Sequence, residues 1–187
     1  GQPLTTPGLT NRFTMGPGGA LEELGEGDQF HRSVGGTNFV LVPFTEGAFV
    51  DEDGRPFEKA LFEWGLTATF RDVNDDGLPD LYVANDFHSP DRFWLNQGGG
   101  RFRLVPRVAV RKNSLFSMAV DFADVNRDGF LDFFTLDMMS RDHAQRMRYL
   151  GDRNPPVMQP GVYDDRPQYG LNGLFVNRGD GTYAELA

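Results

Sequence analysis

The chain contains nearly the same acidic loop twice. It reads "DVNDDGLPD" from residue 72 to 80 and "DVNRDGFLD" from residue 124 to 132. The second loop starts 52 positions after the first, and the same shift aligns Phe70 with Phe122. A repeat of this period is typical of propeller blades and similar stacked units. The sequence therefore predicts a molecule assembled from similar structural units.

Both loops follow the pattern D-x-N-x-D-G-x-x-D, in which oxygen-bearing side chains alternate before a sharp turn at glycine. Hard divalent cations prefer such oxygen ligands, and glycine permits the positive φ of the turn. Asp, Asn and Gly also favour ordinary turns, but that preference does not explain two loops that match at every ligand position. We expect two calcium sites. The predicted ligands are the side chains of Asp72, Asn74, Asp76 and Asp80 with the Leu78 carbonyl, and those of Asp124, Asn126, Asp128 and Asp132 with the Phe130 carbonyl.

An EF-hand loop starts with the same letters, but it requires an acidic residue at position twelve. Those positions hold Val83 and Thr135, so neither loop fits. The runs that follow, "DLYVA" and "DFFTL", are β-branched and aromatic. The loops are therefore predicted to connect β-strands.

Composition favours many short strands, because 23 Gly and 12 Pro interrupt a chain of 187 residues that contains 17 Phe. We expect an all-β fold. The absence of cysteine excludes disulfides and thiol catalysis. A formal charge of -9 disfavours nucleic acid and anionic membranes and favours a cationic partner. The sequence shows no transmembrane run and no signal peptide at its start, which predicts an intracellular protein, a mature chain or a fragment.

Two apolar runs flank a Gly-rich turn in "DRFWLNQGGGRFRLVP" (91–106) and again in "NGLFVNRGDGTYAEL" (172–186). Both are predicted hairpins, and residues 11–24 form a fainter one. The runs "WGLTATF" and "SLFSMAVDF" are predicted strands entering the two loops, with Phe70 and Phe122 in the core. The order strand, acidic loop, strand, hairpin gives four strands per unit.

The segments "FRDVNDDGLPDLYVANDF", "FADVNRDGFLD" and "LFVNRGDGTY" resemble the FG-GAP or VCBS repeats of β-propellers. These repeats are found in integrin α-subunit heads and in bacterial proteins similar to cartilage acidic protein that carry ASPIC/UnbV regions. The resemblance covers residues 60–137 and 168–187. It implies blades of four antiparallel strands, with calcium bound in the loop between the first two strands by the residues named above.

On this interpretation, residues 61–106 form one blade with loop 72–80, and residues 107–137 form another with loop 124–132. Residues 11–24 and 171–187 supply further hairpins. Residues 25–60 and 138–170 are insertions, the first with a predicted hairpin over Asn38 to Val50 and the second with a short helix in "SRDHAQRMRYL". A closed propeller needs at least four blades, so a partial propeller or a fragment is expected.

The expected function is that of a non-catalytic calcium-binding scaffold, extracellular or periplasmic. Its partner would be a protein or the remaining blades of a parent chain, or else a glycan. One alternative is a calcium-dependent polysaccharide lyase or hydrolase with its site on the propeller face, for which Asp86, His88 or the insertions are the candidates. Another is an accessory subunit of a larger complex.

Two further motifs have simple interpretations. "RGD" at Arg178 to Asp180 lies within a predicted hairpin turn, which accounts for its Gly and Asp. A basic cluster in the second insertion is either a docking site for an acidic partner or the solvated face of a helix. Its members are Arg141, Arg146, Arg148 and Arg153.

Overall fold

The computed structural model describes residues 13–15, 21–23, 28–58, 61, 63–86, 89–150 and 166–186. These residues form short β-strands with one α-helix and one 3-10 helix, so the all-β prediction is confirmed. The strands in chain order are β1 Phe13–Met15, β2 Leu21–Glu23, β3 Phe30–Val34, β4 Asn38–Val42, β5 Phe49–Val50, β6 Gly65–Arg71, β7 Asp80–Asn85, β8 Arg92–Asn96, β9 Phe102–Leu104, β10 Asn113–Ser114, β11 Ser117–Ala123, β12 Asp132–Asp137, β13 Gln168–Tyr169, β14 Gly173–Asn177 and β15 Tyr183–Leu186. The α-helix, α1, spans His143–Leu150, and the 3-10 helix spans Phe44–Glu46.

The first large sheet has the strand order β5-β9-β8-β7-β6. Strands β6 to β9 are antiparallel and follow one another in sequence, as the predicted four-strand unit requires. The fifth strand, β5, comes from the first insertion and pairs in parallel with β9, with Phe49 opposite Phe102. Residues 49–50 therefore cover what would otherwise be the free edge of the sheet.

The second large sheet has the strand order β11-β12-β14-β15, and all its pairs are antiparallel. Strands β11 and β12 flank the second acidic loop. The hairpin β14–β15 returns from beyond α1 and pairs with β12, with Phe133 opposite Phe175. The second four-stranded sheet is thus assembled from two separated parts of the chain.

The remaining pairs are two-stranded. Strand β1 pairs antiparallel with β2, which confirms the faint hairpin expected over residues 11–24. Strand β10 pairs in parallel with β13 and so joins the entry to the second sheet with the segment after α1.

An aromatic core lies between the two large sheets. Tyr82 and Phe93 from the first sheet pack against Phe122 and Phe133 from the second, and all four are nearly inaccessible to solvent. The rings of Phe133 and Phe175 stack with centroids 4.3 Å apart. Burying several such rings supplies the main stabilisation of this contact, since each removes a large apolar area from water.

A second core covers the other face of the first sheet. Trp94 and Phe102 of that sheet pack against Phe44 and Phe49 of the first insertion, and Phe57 packs edge-on against Trp94. The segment interpreted as an insertion is therefore part of the hydrophobic core of the first sheet.

The hairpin within this insertion differs from the prediction. Strand β4 pairs with the preceding strand β3, and Gly35 and Gly36 make the turn with φ of 68° and 84°. The predicted hairpin over Asn38 to Val50 is wrong. Side-chain packing draws Phe44 and Phe49 onto the first sheet, so this segment does not pair with β4.

Phe70 and Phe122 occupy matching positions but not matching environments. Phe122 is 7% exposed in the core between the sheets, whereas Phe70 is 45% exposed and its prediction as a core residue is wrong. The reason is coverage: the first sheet lies over Phe122, whereas the ring contact described for Phe70 is with Phe30, at a centroid distance of 6.5 Å.

The short helix in the second insertion is present as α1. The backbone N–H of Gln145 donates to Asp142 Oδ1 at 2.8 Å, which satisfies one of the free donors of the first turn. Among the residues described here, no helix has the length and apolar character that crossing a bilayer requires.

Candidate metal-binding loops

The two acidic loops connect the first and second strands of the two large sheets. Loop 72–79 joins β6 to β7, and loop 124–131 joins β11 to β12. Both are flanked by strands, which confirms the prediction that they are not helix-flanked EF-hand loops. Both hairpins place their loops at the same end of the stacked sheets, because β6 and β11 contact each other at nearly matching positions, where the Thr67 hydroxyl donates to the Met118 carbonyl at 2.9 Å.

The first aspartate of each loop receives two backbone hydrogen bonds. Asp72 Oδ1 accepts from the N–H of Asp76 at 3.1 Å, and Asp72 Oδ2 accepts from the N–H of Gly77 at 2.8 Å. The second loop repeats both bonds at 3.1 and 2.9 Å with Asp124 as the acceptor. The carboxylate thereby fixes the curvature of the loop.

The next two polar residues are also bonded within the loop. Asn74 Oδ1 accepts from the N–H of Asp76 at 3.2 Å, and Asn74 Nδ2 donates to Asp76 Oδ2 at 2.9 Å. Asp76 Oδ1 accepts from the N–H of Leu78 at 2.8 Å. The same three bonds recur in the second loop around Asn126 and Asp128.

The backbone of the two loops repeats as closely as the hydrogen bonds do. Asp75 and Gly77 have φ of 60° and 82°, and the residues 52 positions later, Arg127 and Gly129, have φ of 63° and 92°. Left-handed conformations at non-glycine residues are uncommon, and Asp is among the residues that adopt them more readily. The sequence therefore specifies one loop conformation twice.

The last aspartate of each loop is buried. Asp80 is 1% exposed and Asp132 is inaccessible to solvent. Asp80 Oδ2 accepts from the N–H of Val73 at 3.0 Å, and Oδ1 accepts from the N–H of Asn96 at 2.7 Å. Burial raises the pKa of Asp80, while these two hydrogen bonds oppose the shift. The negative charges of Asp76 and Asp72 raise this pKa further.

The chemistry of the donor set fits a hard cation. Each loop supplies three carboxylates and one amide oxygen, and calcium prefers these ligand types. Among the described residues, however, no three Asp, Glu or His side chains lie close enough together to hold a metal ion. Both carboxylate oxygens of Asp72, Asp76 and Asp80 instead accept hydrogen bonds, so ligation requires these side chains to converge on the ion. Leu78 and Phe130, whose carbonyls are the other expected ligands, lie in the loops with their N–H groups bonded to Asp76 and Asp128.

Two residues of this site, Asn96 and Asn177, were not predicted from the sequence. They end strands β8 and β14, and their backbone N–H groups donate to Asp80 Oδ1 and Asp132 Oδ1 at 2.7 and 2.8 Å. The signal was available, because "LNQGG" and "VNRGD" place the same Asn two residues before a glycine.

A buried polar network lies at the end of the sheets opposite the acidic loops. It was not predicted from the sequence. Asp91 Oδ2 accepts from the hydroxyls of Tyr82 at 2.7 Å and Ser117 at 2.9 Å, and Asp91 Oδ1 accepts from the N–H of Asn85 at 2.9 Å. Ser117 belongs to the second sheet, so this carboxylate links the two sheets. Burial raises the pKa of Asp91 to about 6.

A buried ion pair lies beside this network. The guanidinium of Arg92 donates from Nε to both carboxylate oxygens of Glu63, at 2.8 and 3.0 Å, and a further bond runs from Arg92 Nη2. Asn85 Nδ2 donates to Glu63 Oε2 at 3.2 Å. Of the alternative catalytic residues, His88 lies outside the described residues, and the Asp86 N–H donates to the Trp64 carbonyl at 2.9 Å.

The remaining sequence motifs occupy turns and a helix. Arg178 to Asp180 form the turn between β14 and β15, closed by the Arg178 N–H donating to the Thr182 carbonyl at 3.0 Å. The expected turn is confirmed. Of the basic cluster, Arg141 before α1 and Arg148 within it are exposed, Arg146 is half-buried, and Arg153 lies outside the described residues.

This chain matches a protein-family model and is similar to a known protein. Residues 72–135 match the model of the FG-GAP-like repeat family. Cartilage acidic protein 1 of Xenopus tropicalis is 28% identical over 186 residues, covering 91% of this chain and 28% of the relative. The chain therefore spans less than a third of that relative's length. No solved structure matches the chain. The resemblance carried by the sequence is confirmed, since the segment that holds both acidic loops, residues 72–135, matches the FG-GAP-like repeats.

Proposed function

We propose that this chain is a non-catalytic β-propeller module that binds calcium in loops 72–80 and 124–132 and serves as a scaffold for protein recognition. The observation that carries the proposal is the duplicated loop. The same hydrogen bonds and the same left-handed residues recur 52 positions apart, within the segment that matches FG-GAP-like repeats. The presence of one loop geometry twice in the same chain supports the proposal that both loops bind the same ligand.

Electrostatics supports calcium as that ligand. The expected ligands of each loop include three carboxylates, and a divalent cation bound by them would leave the site with a formal charge near -1. Removing the cation restores the mutual repulsion of the three carboxylates, which makes metal binding and loop order interdependent. In this role Asp72, Asn74, Asp76 and Asp80 hold one ion, and their counterparts in the second loop hold the other.

The calcium proposal is tested by titration of the full chain. Isothermal calorimetry is expected to show two binding events, and saturating calcium at about 100 times Kd should stabilise the fold by about 2.7 kcal/mol per site. Asp72→Ala should remove one event and Asp124→Ala the other. The exposed Glu58→Gln is the matched control and should retain both. Identical melting curves in excess chelator and in millimolar calcium would rule out this role.

An exposed apolar face on the second sheet supports protein recognition. Tyr82 and Ala84 of β7 face the second sheet and are buried there, with 2% and 0% of their surface exposed. Their counterparts 52 positions later, Phe134 and Leu136 of β12, are 38% and 46% exposed. In the first sheet, this face packs against a neighbouring sheet. The equivalent face of the second sheet is therefore suited to a partner that presents another sheet of the same kind.

Substitution of this face tests the partner proposal. Replacing Phe134 and Leu136 together with serine should abolish association with any further repeat units added in trans, measured by size-exclusion chromatography with light scattering. The control is Leu66→Ser, which alters a side chain of similar exposure on the first sheet. Equal association of both variants would contradict the assignment of this face.

We place the module outside the cytoplasm. Loops of this type in extracellular modules bind calcium with Kd of about 10⁻⁴ to 10⁻³ M, a concentration that extracellular fluid or a periplasm can supply. The name of the relative, cartilage acidic protein 1, associates that protein with cartilage. Measured Kd values in the nanomolar range would instead favour a cytoplasmic role.

A further inference from the structure

Each acidic loop is fastened to the hairpin of its own sheet by one asparagine. In the first sheet, the backbone N–H of Asn96 donates to Asp80 Oδ1 at 2.7 Å. Its side-chain Nδ2 donates to the Pro79 carbonyl at 3.0 Å, and its Oδ1 accepts from the N–H of Gly98 at 3.0 Å. One residue thus holds the loop, the buried carboxylate and the hairpin turn together.

In the second sheet, Asn177 makes the same set of hydrogen bonds. Its N–H donates to Asp132 Oδ1 at 2.8 Å, its Nδ2 donates to the Leu131 carbonyl at 3.1 Å, and its Oδ1 accepts from the N–H of Gly179 at 2.9 Å. Three matching bonds in two sheets of one chain indicate a geometry that both loops require.

An apolar contact accompanies each set of hydrogen bonds. A Cβ on Gly98 would lie 3.6 Å from Leu78 Cδ1, and one on Gly179 would lie 2.7 Å from the ring of Phe130. The residue after the loop glycine therefore rests on the glycine of the hairpin turn in both sheets. Polar and apolar contacts together couple the position of each loop to that of its turn.

We propose that Asn96 and Asn177 are positioning residues that hold Asp80 and Asp132 ready for the metal, and that they transmit metal occupancy to turns 97–101 and 178–182. The inference rests on the proposed calcium binding. Both oxygens of Asp80 accept backbone N–H groups from different segments, Val73 and Asn96, which fixes the carboxylate before an ion arrives. Such preorganisation by outer residues raises metal affinity.

Calorimetry on the full chain tests the effect on affinity. Asn96→Ala keeps the backbone N–H that donates to Asp80 but removes the side-chain bonds to the Pro79 carbonyl and the Gly98 N–H. Because this releases the residue before Asp80, it should weaken one of the two calcium-binding steps by about 10-fold or more, the size of effect typical of outer-shell residues, and leave the other step unchanged. Asn177→Ala should weaken the other step. Gln97→Ala, which changes an exposed neighbour in the same turn, should bind like the unmodified chain.

Hydrogen exchange in chelator tests positioning without the metal. The Val73 N–H donates to Asp80 Oδ2, and the Asn96 side chain holds the neighbouring Pro79 carbonyl. Losing that side chain should loosen Asp80, so the Val73 N–H should exchange faster in Asn96→Ala and at the original rate in Gln97→Ala. In the unmodified chain, calcium should slow exchange at the N–H groups of Asn96 and Gly98.

The two proposals fail in different ways. If the unmodified chain binds no calcium, the proposed function is wrong, and the exchange rate of Val73 still decides whether Asn96 positions Asp80. If Asn96→Ala lowers the melting temperature but changes neither calcium affinity nor the exchange of Val73, Asn96 only stabilises the hairpin and the inference is overturned.

Discussion

Asp91 is a carboxylate at which the two sheets meet through hydrogen bonds. It accepts from Tyr82 of the first sheet and from Ser117 of the second, and it is 1% exposed. Arg166 lies near enough to lower the pKa, but burial has the larger effect and raises it to about 6. A carboxyl group in this position favours its protonated form more in the folded than in the unfolded chain.

This shift predicts a pH dependence of stability. Because the pKa rises from 3.8 in the unfolded chain to about 6 on folding, the contribution is fully present below pH 4 and is lost as pH rises through 6. The change amounts to about 3 kcal/mol, at 1.36 kcal/mol per pH unit. Asp91→Asn keeps an acceptor for Asn85 and should remove this dependence.

Urea unfolding at several pH values between 4 and 8 measures the effect. The difference in free energy of unfolding between Asp91→Asn and the unmodified chain should grow in favour of the variant as pH rises from 4 to 7. Glu58→Gln, an exposed carboxylate, should show no such trend. A constant difference across this range would show that Asp91 does not titrate in it.

The hairpin β14–β15 shows how an element depends on one contact in its turn. Gly179 has φ of 71°, and the ring of Phe130 lies 2.7 Å from the position that a Cβ would take. Gly181 has a similar φ of 81°, but no atom lies within 4 Å of a Cβ there. Substitution of Gly181 therefore tests backbone strain alone, whereas substitution of Gly179 tests backbone strain together with a steric clash against Phe130.

Alanine substitutions at the two positions should differ in cost. Gly181→Ala should lose about 1 kcal/mol from the left-handed backbone alone. Gly179→Ala should lose a further 1 to 3 kcal/mol, roughly the cost of overpacking against Phe130. Thermal or urea unfolding measures both, and adding Phe130→Ala should recover the second part. Equal losses at both glycines would show that Phe130 moves aside freely.

At the scale of the whole molecule, the first insertion completes the fold. Phe49 is inaccessible to solvent and stacks on Phe44 and Phe102 at centroid distances of 4.2 and 5.1 Å. One face of the first sheet is covered by this insertion, and the other by the second sheet. The outward face of the second sheet stays exposed at Phe134 and Leu136.

Truncating Phe49 tests whether the insertion carries stability. Phe49→Ala should reduce the free energy of unfolding by about 3 to 5 kcal/mol, the cost of removing a fully buried aromatic ring. Phe39→Ala, in the same insertion but 66% exposed, should change it by less than about 0.5 kcal/mol. Similar small losses in both variants would mean that residues 44–50 pack only loosely on the sheet.

Local chemistry made much of this protein predictable from sequence. The loops, their flanking strands and the hairpins follow from turn residues and alternating apolar runs, and these act over distances of a few residues. The acidic pattern identified the loop residues for the same reason, since Asp72 bonds to N–H groups only four and five positions away.

Contacts between distant segments were decided by the tertiary structure alone. The hydrogen bond between Asp132 and Asn177 spans 45 residues, and the link between Asp91 and Ser117 joins two sheets. Phe70 and Phe122 occupy the same position in the repeat, yet only the second is covered by a sheet. Burial depends on which other segments fold onto a surface, and that information does not reside in the spacing of neighbouring residues. The sequence by itself therefore determined the repeating loops and strands, and packing between them determined which faces became core and which stayed open.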